Sequence, residues 1–180
     1  MHPARGPHVV LVGLMGAGKT TVGRRLAHDL GRRFVDTDEL VESTARATVA
    51  ELFEREGEAG FRAREREAVA DACGSEDPLV VAVGGGAVLD PENRSRLRDA
   101  GFVVWLQASP EVLAARVGDA TTRPLLAASF ADDRLAALST LVATRAPAYE
   151  AVADVMVQTG GCSVEMVVAA IRKEVPAWAR

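Results

Sequence analysis

The chain has 180 residues, 48% of them hydrophobic and 26% charged, with a formal net charge of −4. That length and balance suit one globular domain over 1–180 with a sizeable core. The negative charge gives nucleic acid or a membrane surface no electrostatic hold, and no apolar run approaches the length of a membrane span.

The N-terminus, Met1-His2-Pro3-Ala4-Arg5-Gly6-Pro7, is too short and polar for a secretory signal, so the cytosol is the expected location. His8-Val9-Val10-Leu11-Val12 is then an apolar run suited to a buried parallel strand. Gly13-Leu14-Met15-Gly16-Ala17-Gly18-Lys19-Thr20 follows and fits G-x-x-x-x-G-K-[ST], the loop that wraps nucleotide phosphates. Next comes a helical pattern, with Val22, Leu26, Ala27 and Leu30 on one face and Gly31 as its stop. Strand, glycine loop and helix are the context this motif needs. The glycines let the backbone close on phosphate, the helix N-terminus points at it, and Lys19 adds a charge. Thr20 would set its hydroxyl on Mg²⁺. Only Lys19 and Lys173 are lysines in an otherwise arginine-using chain, which strengthens the reading of the loop.

Arg33-Phe34-Val35 reads as a short strand leading to Asp36-Thr37-Asp38, with Thr37 or Asp38 capping a short segment over 39–44. Thr48-Val49-Ala50-Glu51 is a capping box that starts a helix ended by Gly57. A charged helix runs from Phe61 to Cys73, and 79–83 is a second wholly apolar strand closed by Gly84-Gly85-Gly86. Asp90-Pro91 begins another helix, which Gly101 stops before the buried strand Phe102-Val103-Val104-Trp105-Leu106. Ser109-Pro110 repeats the cap signal for a helix to about Val117. Residues 118–132 lack a clean period and hold Arg123-Pro124, as expected of a functional loop. Asp132 is expected to cap a helix carrying Leu135, Leu138 and Leu141, interrupted late by Pro147. Val155-Met156-Val157-Gln158 is a last strand, and Val164, Val167, Val168 and Ile171 mark a closing amphipathic helix. Cys73 and Cys162 are far apart and lack metal spacing, so they read as reduced thiols.

Five short apolar strands alternating with helices imply a doubly wound parallel α/β sheet. Ligands of such sheets sit at the carboxyl ends of strands, which gathers the phosphate loop, Asp36, Asp38 and the three glycines on one edge. Asp36 suits a water-mediated hold on Mg²⁺, and Asp38 suits a base or a substrate anchor; Asp-Thr-Asp as a mere strand exit with caps is the alternative. Three glycines exceed what a tight turn needs and make sense where a ligand touches the main chain. Arg123, in the long loop, is positioned for a lid over the transferring phosphate. Pattern alone does not choose between Arg62 and Arg64, while Arg64, Arg66, Arg94, Arg96 and Arg98 look like solvated faces.

From end to end the chain resembles the shikimate kinases. The resemblance rests on Gly13-Leu14-Met15-Gly16-Ala17-Gly18-Lys19-Thr20-Thr21, Phe34-Val35-Asp36-Thr37-Asp38 and Gly60-Phe61-Arg62, then on Gly84-Gly85-Gly86-Ala87-Val88, Arg123-Pro124-Leu125-Leu126 and Arg145-Ala146-Pro147-Ala148-Tyr149. It implies a five-stranded parallel sheet flanked by helices, a three-layer sandwich like the P-loop nucleoside monophosphate kinases. A mobile lid over 118–132 and substrate-binding helices over about 38–73 go with it. The implied reaction is ATP plus shikimate giving ADP and shikimate 3-phosphate, with Mg²⁺, in chorismate and aromatic amino acid biosynthesis. A monomer without nucleic acid or membrane partners is implied as well.

By this resemblance Asp38, Arg62 and Arg145 hold shikimate with Gly84, Gly85 and Gly86, Gly85 being the family's contact. Gly16, Ala17, Gly18, Lys19, Thr20, Thr21, Arg116 and Arg123 bind ATP, and Lys19, Asp38 and Arg123 are the catalytic set. The chain departs from the pattern after the last strand, where Gly160-Gly161-Cys162 stands in place of the arginine or glutamine often found beside adenine. A gluconate kinase-like enzyme and a nucleotide-binding module without catalysis are the competing readings.

Overall fold

The structure is a computed structural model that describes residues 6–117 and 133–179. β1 (His8–Val12) is buried along its whole length, which explains its unbroken apolar sequence. It is the middle of a five-stranded parallel sheet in the order β2-β3-β1-β4-β5. β3 (Leu79–Ala82) and β4 (Gly101–Gln107) flank it, with Val10 opposite both Val81 and Val103. β2 (Arg33–Asp36) and β5 (Val155–Gln158) form the edges and are correspondingly less buried.

Parallel pairing demands crossovers, and helices supply them. α1 (Lys19–Leu30) packs on β3 and on the closing helix, α7 (Val164–Glu174). A second group joins α3 (Val49–Cys73), α4 (Pro91–Ala100), α5 (Pro110–Val117) and α6 (Arg134–Val152). The expected α/β architecture is present, and no described helix is long and apolar enough to cross a membrane.

Several helix starts match expectation in detail. Thr48 and Glu51 make both bonds of the capping box, and Asp90 accepts from the Glu92 amide ahead of the N1 proline. Two caps differ from expectation. α2 (Thr37–Ala45) is capped by Asp36, not by Thr37 or Asp38, because the Asp36 carboxylate accepts the Asp38 amide at 3.0 Å. α6 is capped by Asp133, whose carboxylate accepts the Ala136 amide, rather than by Asp132.

The expected break at Gly57 is present: its backbone is non-helical, with φ 68° and ψ −176°, and α3 is two helical segments that meet there at a kink. Arg64 braces the bend by reaching both carboxylate oxygens of Glu56 at 2.8 Å. A small satellite core of Val41, Leu52, Phe61 and Ala68 glues α2 to α3, with the Phe53 and Phe61 rings 4.7 Å apart. That cluster has a functional consequence, since α2 carries Asp38 and α3 carries Arg62. Strand register completes the frame: Leu11 and Asp36 both lie opposite Ala82, so the loops after β1, β2 and β3 leave the sheet side by side.

Candidate active site

The phosphate loop leaves β1 at Gly13 and enters α1 at Gly18, whose φ of 96° is natural only to glycine. No side chain caps α1 and no acid lies in its first turn. Its first N–H groups and the positive end of its dipole are therefore left for an anion. Lys19 folds back across the loop and donates to the carbonyls of Gly13 at 2.8 Å and Leu14 at 3.1 Å. Ala17 is buried beneath the loop, and Thr21 is exposed in the first turn of α1.

Asp36 ties three elements together. One carboxylate oxygen caps α2, and the other accepts the Thr20 hydroxyl at 2.8 Å, so the end of β2 is joined to the start of α1. A hydroxyl beside a carboxylate at a phosphate-binding helix end is a hard-oxygen pair suited to Mg²⁺. Among the described residues no group of three or more His, Cys, Asp or Glu is placed to hold a metal. Mg²⁺ takes one or two protein oxygens and leaves the rest to phosphate and water.

Two of the three glycines after β3 make room for a side chain. A Cβ on Gly84 would lie 2.5 Å from the Asp38 carboxylate, and one on Gly86 would overlap the Arg62 guanidinium; one on Gly85 would meet the Gly13 carbonyl at 3.3 Å, with Arg145 and Tyr149 in ordinary contact at 3.6 Å. Asp38, Arg62 and Arg145 thus meet around one turn, coming from α2, α3 and α6. Buried Thr37 fixes the turn's entry by accepting the Gly84 amide at 3.0 Å. Arg145 donates to the Gly85 carbonyl at 3.1 Å. From behind, Arg94 donates to the carbonyls of Val88 and Leu89, so it braces this segment rather than lying on a solvated face. Arg64, Arg66 and Arg96 pair with Glu56, Asp90 and Glu92 as surface arginines do.

Three residues of this arrangement escaped the sequence reading: Thr37 as an anchor, Glu65 and Tyr149. Glu65 is only 3% exposed and accepts from Arg62 at 2.7 Å. Burial raises its pKa above the ordinary carboxylate range; the Arg62 charge opposes that, Asp38 adds to it and Arg145 opposes it. Its sequence signal was weak, an acid three residues after Arg62 in a helix full of such pairs. Tyr149 lies one helical turn after Arg145, and its hydroxyl donates to the same Gly85 carbonyl at 2.6 Å.

Arg116, at the end of α5, bridges to the nucleotide side. It donates to the Gly16 carbonyl at 3.2 Å and to the Thr159 hydroxyl and carbonyl at 3.0 and 2.7 Å. The phosphate loop is thereby joined to the exit of β5, just before Gly160-Gly161-Cys162. Arg123 and the expected lid over 118–132 lie outside the described residues.

A family model described as shikimate kinase matches residues 15–176. A shikimate kinase from Symbiobacterium thermophilum is 52% identical over 169 residues, 93% of this chain and 95% of its own length. Another, from Francisella tularensis subsp. novicida, is 42% identical over 164 residues, 91% of this chain and 92% of its own. The solved structure of a shikimate kinase from Acinetobacter baumannii in complex with shikimate aligns with a TM-score of 0.88 at 37% identity. That alignment covers 94% of this chain and 92% of that one.

Proposed function

The chain belongs to the shikimate kinase family, and we propose on that premise that it moves the γ-phosphoryl group of ATP to the 3-hydroxyl of shikimate, giving shikimate 3-phosphate and ADP. The observation that carries the reading is the meeting of Asp38, Arg62 and Arg145 around three glycines beside an uncapped phosphate loop. Shikimate is a small carboxylate with three ring hydroxyls. Two arginine forks suit its carboxylate, and Asp38 suits a hydroxyl.

On the donor side, Lys19 would exchange the Gly13 and Leu14 carbonyls for phosphate oxygens, while the first amides of α1 and Thr21 take the rest. Arg116 and Gly16 would border the nucleotide, and Arg123 would reach the phosphates from the loop over 118–132. Thr20 and Asp36 would hold Mg²⁺, Asp36 through water. When bound, the ion offsets charge on the phosphate oxygens.

In the transfer, the acceptor oxygen forms a bond to the γ-phosphorus as the bond to the ADP oxygen breaks, and ADP leaves with that electron pair. Asp38 takes the hydroxyl proton. One chain supplies every named group, which supports a monomer, and the family's activity on small metabolites supports the cytoplasm. Size-exclusion chromatography with light scattering checks the first.

A coupled ADP-release assay tests the reaction. Turnover with shikimate and none with gluconate is expected. Activity on gluconate alone would replace the acceptor, and ATP binding without turnover of either acid would reduce the protein to a nucleotide-binding module.

A further inference from the structure

We propose that Tyr149 is a positioning residue for the acceptor: with Arg145 it holds the Gly85 carbonyl toward α6, and so aims the Gly86 N–H at the bound acid. The inference deepens the kinase reading and rests on it.

The Gly85 carbonyl accepts two donors, the Tyr149 hydroxyl at 2.6 Å and Arg145 Nη1 at 3.1 Å. A trans peptide group is planar, with its N–H opposite its carbonyl, so fixing the Gly85 carbonyl also fixes the direction of the Gly86 N–H. Much of the turn is already committed. Thr37 accepts the Gly84 amide, the Ala87 amide donates to Gly84 and the Leu89 amide donates to Gly86, while the Gly85 amide, which no side chain orients in this way, is open among the described residues. Among the described residues the Gly86 N–H has no acceptor. It leaves the peptide on the side away from α6, and a Cβ on Gly86 would lie against the Arg62 guanidinium. That donor is available to the acid which Arg62 reads.

Tyrosine serves this purpose better than a second charge. The ring is 1% exposed and stacks on Trp105, with centroids 5.5 Å apart and planes 24° from parallel, so its hydroxyl has a fixed address. Burial pushes the phenol up to about 12, so it stays a donor across the working pH range. Arg145 has other work, since its guanidinium must also face the substrate. With Tyr149 present the carbonyl stays in place when Arg145 turns to the acid.

Tyr149→Phe keeps the ring and its stacking and removes only the donor. We expect KM for shikimate to rise several-fold to about tenfold, as for loss of one neutral hydrogen bond. KM for ATP should stay within about twofold, and the melting temperature should stay close to that of the parent. An unchanged KM for shikimate overturns the proposal. So does an equal rise in both KM values with a large loss of melting temperature, which marks a purely structural role. A measurement on the parent protein needs no variant: the backbone amide of Gly86, followed by ¹⁵N NMR, should shift strongly on saturation with shikimate. A Gly86 amide that does not respond overturns the proposal even if the kinase reading stands. A parent protein that neither binds nor phosphorylates shikimate removes the kinase reading, and this proposal with it.

Discussion

Replacing Gly86 with alanine adds one methyl group at a point where the structure leaves no room for it. The new Cβ would lie 2.4, 2.7 and 2.9 Å from Nη1, Nη2 and Cζ of Arg62. The backbone itself accepts alanine, since φ is −97° and ψ is −16°. The strain therefore falls on the guanidinium, which must retreat by about 1 Å to reach ordinary contact. It cannot retreat freely, because Glu65 holds it at 2.7 Å, Glu58 meets it at 3.4 Å and the Phe61 ring lies 5.5 Å away. A displacement of about 1 Å in a positioning group costs on the order of a hundredfold in rate. Gly86→Ala should thus lower kcat/KM for shikimate about a hundredfold, leave KM for ATP within about twofold and move the melting temperature by only a few degrees. The coupled ADP-release assay reads the first two, and thermal unfolding followed by circular dichroism reads the third. A double-mutant cycle sharpens the test: in an Arg62→Ala background, Gly86→Ala should add almost nothing. Full additivity of the two substitutions, or equal damage to shikimate and ATP, would refute the account of why glycine stands at 86.

Three further predictions rest on other parts of the site and core. Asp38→Asn should reduce phosphoryl transfer by about 10²- to 10⁴-fold while calorimetry shows unchanged ATP binding; an active variant would remove Asp38 from proton transfer. Glu65 has a folded pKa raised by burial, so the folded state favours its protonated form, and stability is lost as pH rises from the ordinary value of 4.5 through the folded one. Glu65→Gln lacks that loss, so its denaturation midpoint should gain on the parent's as pH rises, while its KM for shikimate rises because the hold on Arg62 loses its charge. His8 is buried on β1 and accepts the Leu79 amide at 3.1 Å, and burial lowers its pKa. Stability from this source is present above the ordinary value of 6.5 and is lost as pH falls below it, because the unfolded chain then takes a proton that the folded one resists. A His8 ring that titrates at or above 6.5 by NMR would contradict this.

The donor half of the site was legible because its chemistry is local. A phosphate loop is one stretch of chain whose glycines, lysine and hydroxyl act through their own backbone, so Gly18, Lys19 and Thr20 could be assigned by spacing alone. The strands were equally plain, since β1 and β3 are buried on both faces and read as unbroken apolar runs. Cap identity was less secure. Asp36, Thr37 and Asp38 are all competent caps, and the choice fell to Asp36 only because β2 ends with that carboxylate turned toward both α1 and α2.

In the acceptor half Asp38 and the glycines stood out by position, but its arginines were legible only through resemblance, and the reason is physical. Its side chains come from α2, α3 and α6, and no periodicity distinguishes Arg62 from Arg64 within a helix rich in charge. What separates them is the bend at Gly57 and the placement of the turn after β3. Arg64 is left bracing Glu56, while Arg62 is delivered to Gly86 beside a buried acid. Gly84 makes room for Asp38 and Gly86 for Arg62, whereas a Cβ on Gly85 would press on the Gly13 carbonyl of the phosphate loop at 3.3 Å. The outer two missing Cβ atoms are therefore spaces that substrate-reading groups occupy. Alanine at 84 or 86 should then act first on the acceptor and only weakly on ATP.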